Sequence, residues 1–255
     1  MTKIISFASQ KGGVGKSTLC IQQAFYLSLR KKKRVLVLDM DGQGNTSSRL
    51  AGQRGPDGGT HTRTAELFAD TCRAIEVLPC PCGADLIYTP TNDPELFDVE
   101  AAPLERAMNP ARHLAGLLPD YDYVLIDCPP SLGRKLLAAL VMSTHVVCPV
   151  KLSGFAVDGV EGLLSTIIGV REAYNSSLEI LGLVINDMDR SVSHDRALAA
   201  LEEAVPELLF RNRIMHRPPL DTATSEGVPI WELRHGHVAR REVEAVLDEM
   251  LERVG

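Results

Sequence analysis

Unbroken apolar runs recur along the chain. They are KIISFAS at 3–9, RVLVLDM at 34–40, YVLIDCP at 123–129, HVVCPV at 145–150 and EILGLVIN at 179–186. A strand with one wet face alternates apolar and polar residues, whereas a strand covered on both faces stays apolar throughout. These five segments therefore predict strands of a mostly parallel sheet. Between them the spacing predicts helices over 17–30 (apolar Leu19, Phe25, Leu27, Leu29), 103–118, 135–142, 159–174 and 194–204. Strands that alternate with helices imply βαβ units joined by right-handed crossovers. The expected fold class is α/β, a doubly wound, mostly parallel sheet, with any ligand at the carboxyl ends of the strands. Residues 75–90 predict one or two short strands, and the polar, Gly-rich stretch 52–63 predicts a surface loop. No repeat, linker or low-complexity tail divides residues 1–255, so one domain is expected.

Charge and cysteine content narrow the function classes. The net charge of −6 excludes a global cationic field, so any nucleic acid must meet a local basic patch. The six cysteines are scattered and MTKIISF runs directly into a Gly-rich loop, which points to the reducing cytoplasm. Cys80-Pro-Cys82, with Cys72 eight positions back, lacks zinc-site spacing and reads as free thiols. No apolar run approaches the roughly 18–20 residues of a membrane span.

The densest chemistry lies in SQKGGVGKST, residues 9–18, between the first strand and the first helix. That is the context of a phosphate-binding loop. Gly12, Gly13, Val14 and Gly15 would turn backbone N–H groups toward phosphate oxygens, and the helix N-terminus adds partial positive charge there. Lys16 would bridge the β- and γ-phosphates, Ser17 would reach Mg²⁺, and Thr18 would donate to the α-phosphate. One feature departs from the common G-x-x-x-x-G-K-[ST] pattern: Gln10 stands where the first glycine belongs, and Lys11 follows it. Three carboxylates lie at expected strand ends, namely Asp39, Asp41 and Asp127. They suit metal and water handling, although an Asp after a strand also serves as a turn residue or helix cap.

KGGVGKS resembles the deviant Walker A loop, K-G-G-x-G-K-[ST], of the ParA/MinD superfamily of P-loop ATPases. VLVLDMDGQGN (35–45) resembles a second motif of its ParA branch, with Gly42 in place of the family proline. YDYVLIDCPPSLG (121–133), the CPV at 148–150 and GVPIWEL (227–233) are also similar. The resemblance covers nearly the whole chain and implies a P-loop NTPase fold that uses ATP and Mg²⁺. It implies that Lys11 reaches across a sandwich homodimer to the partner's ATP, supplying a second cation where charge develops. It further implies that Asp41 positions the attacking water. Asp127 would act on the metal shell, with Asp39 supporting that network. Asn186, at a strand end, and Pro218, in the RPPLD turn, would meet adenine. Proline fixes φ and glycine does not, so Gly42 suggests a looser loop.

Small members of that branch bind DNA without sequence preference and release it when a ParB-like partner stimulates hydrolysis. The candidate patch here is Arg211, Arg213, Arg217, Arg234, Arg240 and Arg241, interleaved with acids; a solvated charged face explains the same spacing. Dimerisation would double the patch. Lys31–Arg34 reads as a helix C-terminus favouring cations. The final segment carries five acids after Arg241 and suits packing better than an anionic membrane. With only eight residues before the loop, no helix-turn-helix is expected ahead of it. The expected protein is a cytoplasmic, nucleoid-associated DNA-partition ATPase. The alternatives are a related ATPase that positions a protein cargo, a dinitrogenase-reductase-like metallocluster ATPase using Cys128, and a nucleotide-dependent scaffold without turnover.

Overall fold

The computed structural model describes residues 1–52, 60–153 and 156–255. All five predicted strands form, β6 (His145–Val150) over its whole predicted span and the others ending one or two residues early: β1 (Lys3–Phe7), β2 (Val35–Asp39), β5 (Tyr123–Asp127) and β7 (Glu179–Ile185). Segment 75–90 adds β3 (Leu78–Pro79) and β4 (Asp85–Ile87). The sheet order is β3-β4-β2-β5-β1-β6-β7, and every pair is parallel except β3–β4.

The unbroken apolar runs are explained by two cores, one on each face. Along a strand, successive side chains point to opposite faces. Phe7, Val35, Val37, Leu125 and Val147 pack on one side; Ile4, Leu36, Leu38, Ile126 and Val146 pack on the other. The first core is closed by α1 (Lys16–Phe25), α8 (Pro218–Glu226) and α9 (His237–Val254), the second by α5 (Arg134–Met142), α6 (Ala156–Ala173) and α7 (Val192–Ala204). Each fully buried Leu, Ile or Phe contributes on the order of 1.5–3 kcal/mol.

Three local predictions change. The first helix leaves α geometry at Phe25 and finishes as a π-helical turn, Tyr26–Arg30, with Lys31 after it. Segment 103–118 is not one helix but a 3₁₀ turn (Leu104–Met108) followed by a short α4 (Asn109–Leu114). Pro110 is the cause: it has no N–H for a continuing helix, so the helix restarts with Pro110 in its first turn. The RPPLD segment is the beginning of α8, with its prolines in the first turn, where N–H groups have no intrahelical partner. Of the predicted loop 52–63, residues 53–59 lie outside the described residues, and Thr62 beyond them is buried with its N–H donated to Glu76.

The acidic C-terminal segment is a packing element. Ala239, Val243, Val246, Leu247 and Met250 of α9 are buried in the first core. Glu249, 1 % exposed, accepts the N–H groups of Arg211 and Asn212 at 2.9 Å each and the Arg253 guanidinium. Among the described residues no helix is long and apolar enough to cross a membrane.

Candidate nucleotide site

The sheet topology brings the sequence motifs to one place. β1 lies between β5 and β6, and in register Phe7 pairs with Asp127, which pairs in turn with Asp39 of β2. The loop leaving β1 and both carboxylates therefore share the carboxyl edge of three adjacent strands, where an open α/β sheet binds its ligand. An open cleft with about 840 Å³ of empty space lies there. Gly12, Gly13, Gly15, Lys16, Ser17 and Thr18 form its floor, with Asp41, Asn45 and Pro130 on one side and Asn186 and Asp187 on another.

The loop's shape follows from its glycines. Gly13 and Gly15 have φ of 70° and 95°, a region other residues rarely enter. Gly15 is constrained twice, because a Cβ there would lie 2.1 Å from the Asn186 side-chain nitrogen. α1 begins at Lys16 with no side-chain cap and no acid in its first turn, so its N-terminal donors and dipole are left for an anion. Lys16 is 6 % exposed, and its ammonium donates to the Lys11 carbonyl at 3.2 Å.

Asp127 and Asp39 are both fully buried. Burial pushes the Asp127 carboxyl up to about 6, against the opposing pull of the Ser17 and Thr46 hydroxyls and the Lys16 charge. Thr46 donates to its Oδ2 at 2.6 Å, while Oδ1 is buried without a partner. A buried acceptor beside Ser17 and below the phosphate loop fits a divalent cation or its water shell. Asp39 is placed differently from the metal-supporting role expected for it. Its Oδ2 accepts the N–H and hydroxyl of Ser47 at 2.7 and 2.8 Å, and its Oδ1 accepts the Asp41 N–H at 3.2 Å. Asp39 thus ties down, from beneath, both Asp41 and the short helix α2 (Asn45–Leu50) that follows the 41–44 loop. Burial, followed by the neighbouring Asp127 charge, raises its carboxyl well above the usual range.

Asp41 faces the cleft, and among the described residues its Oδ1 accepts only the Gln43 N–H, at 3.0 Å. Asn186, at the end of β7, donates its amide to the Val14 carbonyl at 2.9 Å, and its Oδ1 is buried without a partner. That orphan acceptor suits an amino group on a ligand. Pro218 is not part of the cleft wall; its neighbours Arg217, Leu220 and Asp221 are, with Met215. Lys11 also lies outside its own chain's cleft. Its ammonium donates to the Ser153 hydroxyl at 3.0 Å, and its stem passes over Gly159, where a Cβ would be 3.4 Å from Cε.

The six arginines expected to form a DNA patch do not stay together as free cations. Arg211 pairs with Glu252 (2.6 Å), Arg213 with Glu202 (2.7 Å), Arg240 with Glu244 (3.0 Å), and Arg217, part of the cleft wall, with Glu242 (2.6 Å). Arg234 and Arg241 are exposed and without ion pairs among the described residues. Sequence reasoning missed Asp187, whose φ of 57° is left-handed and whose carboxylate pairs with Lys151 and with His216 (2.6 Å). Its adjacency to Asn186 at a strand end was the available signal. Cys128, the candidate cluster ligand, is a fully buried thiol in the second core, and burial drives it up.

The family model described as an AAA domain matches residues 2–180. The chromosome-partitioning ATPase Soj of Thermus thermophilus is 35% identical over 253 residues, covering 97% of this chain and 96% of that protein. A putative plasmid partition protein of Borrelia burgdorferi, solved bound to AMPPNP, superposes with a TM-score of 0.82 at 26% identity, covering 99% of this chain and 100% of that one. Apo McdA of Cyanothece superposes with a TM-score of 0.85 over 100% of both chains at 22% identity, a likeness of fold. With its phosphate loop, paired strand-end carboxylates and near full-length match to a partition ATPase, the chain belongs to this AAA-domain family within the ParA/MinD superfamily.

Proposed function

We propose that the protein is a DNA-partition ATPase switched by ATP-dependent pairing. In this reading Gly12, Gly13, Val14, Gly15, Lys16 and Thr18 hold the phosphates of ATP, Ser17 and Asp127 hold Mg²⁺ or its water shell, and Asn186 reads the base. Asp39 acts indirectly, by fixing the loop that carries Asp41. Asp41 orients water. Lys11 serves the partner chain's nucleotide. The observation that carries the reading is the divided pair of lysines: Lys16 is buried at the floor of the cleft, while Lys11, five residues earlier, is directed out of it. A phosphate loop that needed only one cation would not have to hold a second against another helix.

The paired form is proposed to hold non-specific DNA through the arginine surface. Arg234 and Arg241 are immediately available. The exposed ion pairs of Arg211 and Arg213 are worth only about 0–1 kcal/mol each, so phosphate can displace them, and the half-buried pair of Arg240 is an i,i+4 helix contact worth roughly 0.3–0.5 kcal/mol. A ParB-like partner would then stimulate hydrolysis and release. The site of action would be the nucleoid.

Size-exclusion chromatography with ATP, ADP or no nucleotide, followed by DNA binding at two salt concentrations, tests this reading. It requires a dimer with ATP only, and DNA binding by that dimer that falls steeply with salt. Equal DNA binding in every nucleotide state removes the switch. An ATP-dependent dimer that never binds DNA points instead to a protein cargo. The base contact has its own check. Asn186→Ala is expected to weaken ATP binding roughly three- to tenfold in a calorimetric titration, the value of one lost hydrogen bond and a loosened loop.

A further inference from the structure

Gly42 stands where the resembling family carries proline, and its surroundings explain why. It is not among the residues of positive φ, so glycine is not required there for backbone conformation. Space is what requires it: a Cβ would lie 2.8 Å from Cε1 and 2.9 Å from Cζ of Phe97, in the short helix α3 (Pro94–Asp98). The main chain ties the same two segments, since the Asp93 N–H donates to the Gly42 carbonyl at 2.9 Å. Asp93 also caps α3 by accepting the Glu95 N–H at 3.0 Å.

Phe97 is 42 % exposed, so core packing does not account for its position. Its ring instead lies between the Gly42 loop and the first turn of α5. On one side it covers Gly42, and the Lys135 ammonium lies 5.3 Å from its centroid. Lys135 is buried and 3.7 Å from Glu100, whose carboxylate accepts the Arg134 N–H at 2.7 Å at the start of α5. The loop bearing Asp41 is thereby coupled to the segment that follows Asp127.

We propose that Phe97 is a positioning residue for hydrolysis. It clamps the 41–44 loop through the side-chain-free surface of Gly42 and so fixes where Asp41 presents water. A ring packed on this loop does the work of the absent proline. Small displacements of a positioned group cost large factors in rate, so the contact is expected to appear in kcat. The inference rests on the reading of Asp41 given above.

Phosphate release and amide hydrogen exchange on the full-length protein test it. Phe97→Ala is expected to lower kcat roughly tenfold with KM for ATP within about twofold, because Phe97 is not part of the cleft wall. The Gln43 and Gly44 amides, which donate to the Asp41 side chain and carbonyl, should exchange faster. Gly42→Ala should give the same pattern by displacing the ring. The double variant should be no slower than Phe97→Ala alone, since the added methyl then has nothing to displace. A wild-type kcat for Phe97→Ala, or single effects that multiply in the double variant, overturns the proposal. Asp41→Ala, assayed beside them, judges the water assignment separately: full activity there removes that reading, while the exchange data and the double variant still decide whether Phe97 clamps the loop.

Discussion

Lys11→Ala is expected to leave ATP binding by each chain nearly intact and to lower turnover on the order of 10³-fold, the low end for a cation supplied in trans to a transferring phosphoryl group. The structure separates the two effects. Lys16 contacts the Lys11 main-chain carbonyl, not its side chain, so truncation at Cβ leaves the floor of the cleft in place. The Lys11 ammonium is held by Ser153, beside α6 and away from its own cleft. Nucleotide affinity should therefore change little, and chromatography should show an ATP-dependent dimer that is weak or absent. Mixing experiments distinguish action across the pair from action within one chain. Combined in equal amounts, Lys11→Ala and Asp41→Ala chains should recover activity, because each mixed pair has one complete site. The rate should fall below the roughly one quarter of wild type that random pairing would give, since Lys11→Ala pairs weakly and Asp41→Ala is held in its own pairs. If Lys11 serves its own chain, no pairing of these variants contains a complete site and the mixture stays inactive.

The second large effect belongs to Asp41. Its replacement by Ala should lower kcat about 10²- to 10⁴-fold, the usual worth of a positioned base or water-orienting group, and should trap the ATP-bound dimer. The loop should survive the change because its main chain carries most of its anchoring. The Asp41 N–H donates to the buried Asp39, and the Asp41 carbonyl accepts from Gly44. Among the described residues only the side-chain bond to the Gln43 N–H is lost. Size-exclusion chromatography should find a dimer that persists long after wild-type protein has hydrolysed its ATP and separated. Normal phosphate release by this variant would falsify the assignment.

The two carboxylates behind the cleft illustrate how far residue type is from role. Both end a strand, both are fully buried, and they are neighbours in register. Asp127 has one oxygen unsatisfied beside Ser17, while Asp39 has spent both on the loop above it. Replacing Asp39 removes the support of residues 41–47; replacing Asp127 would, in the proposed site, remove a ligand of the cation or of its water shell. Nothing in DMDGQGN or YVLIDCP distinguishes these roles, because the partner that occupies Asp39, Ser47, is set by how the chain turns after Gly44.

What the sequence determined by itself was whatever depends on local spacing. Five apolar runs without alternation required strands covered on both faces, and those strands formed one mostly parallel sheet. Glycines at 13 and 15 ahead of Lys16 required a loop opening a helix. Tertiary structure decided every assignment that depends on a distant partner. Asn186 meets Val14 across 172 positions, and Arg211, Arg213 and Arg217 are paired with acids brought in by α7 and α9. Gly42 looks in sequence like a loosened loop, yet it is the seat of an aromatic ring from α3. The physical reason is common to all of these. Backbone periodicity is a property of neighbours along the chain, whereas a charge, a ring or a lone pair acquires its role from whichever group folding places within a few ångströms of it.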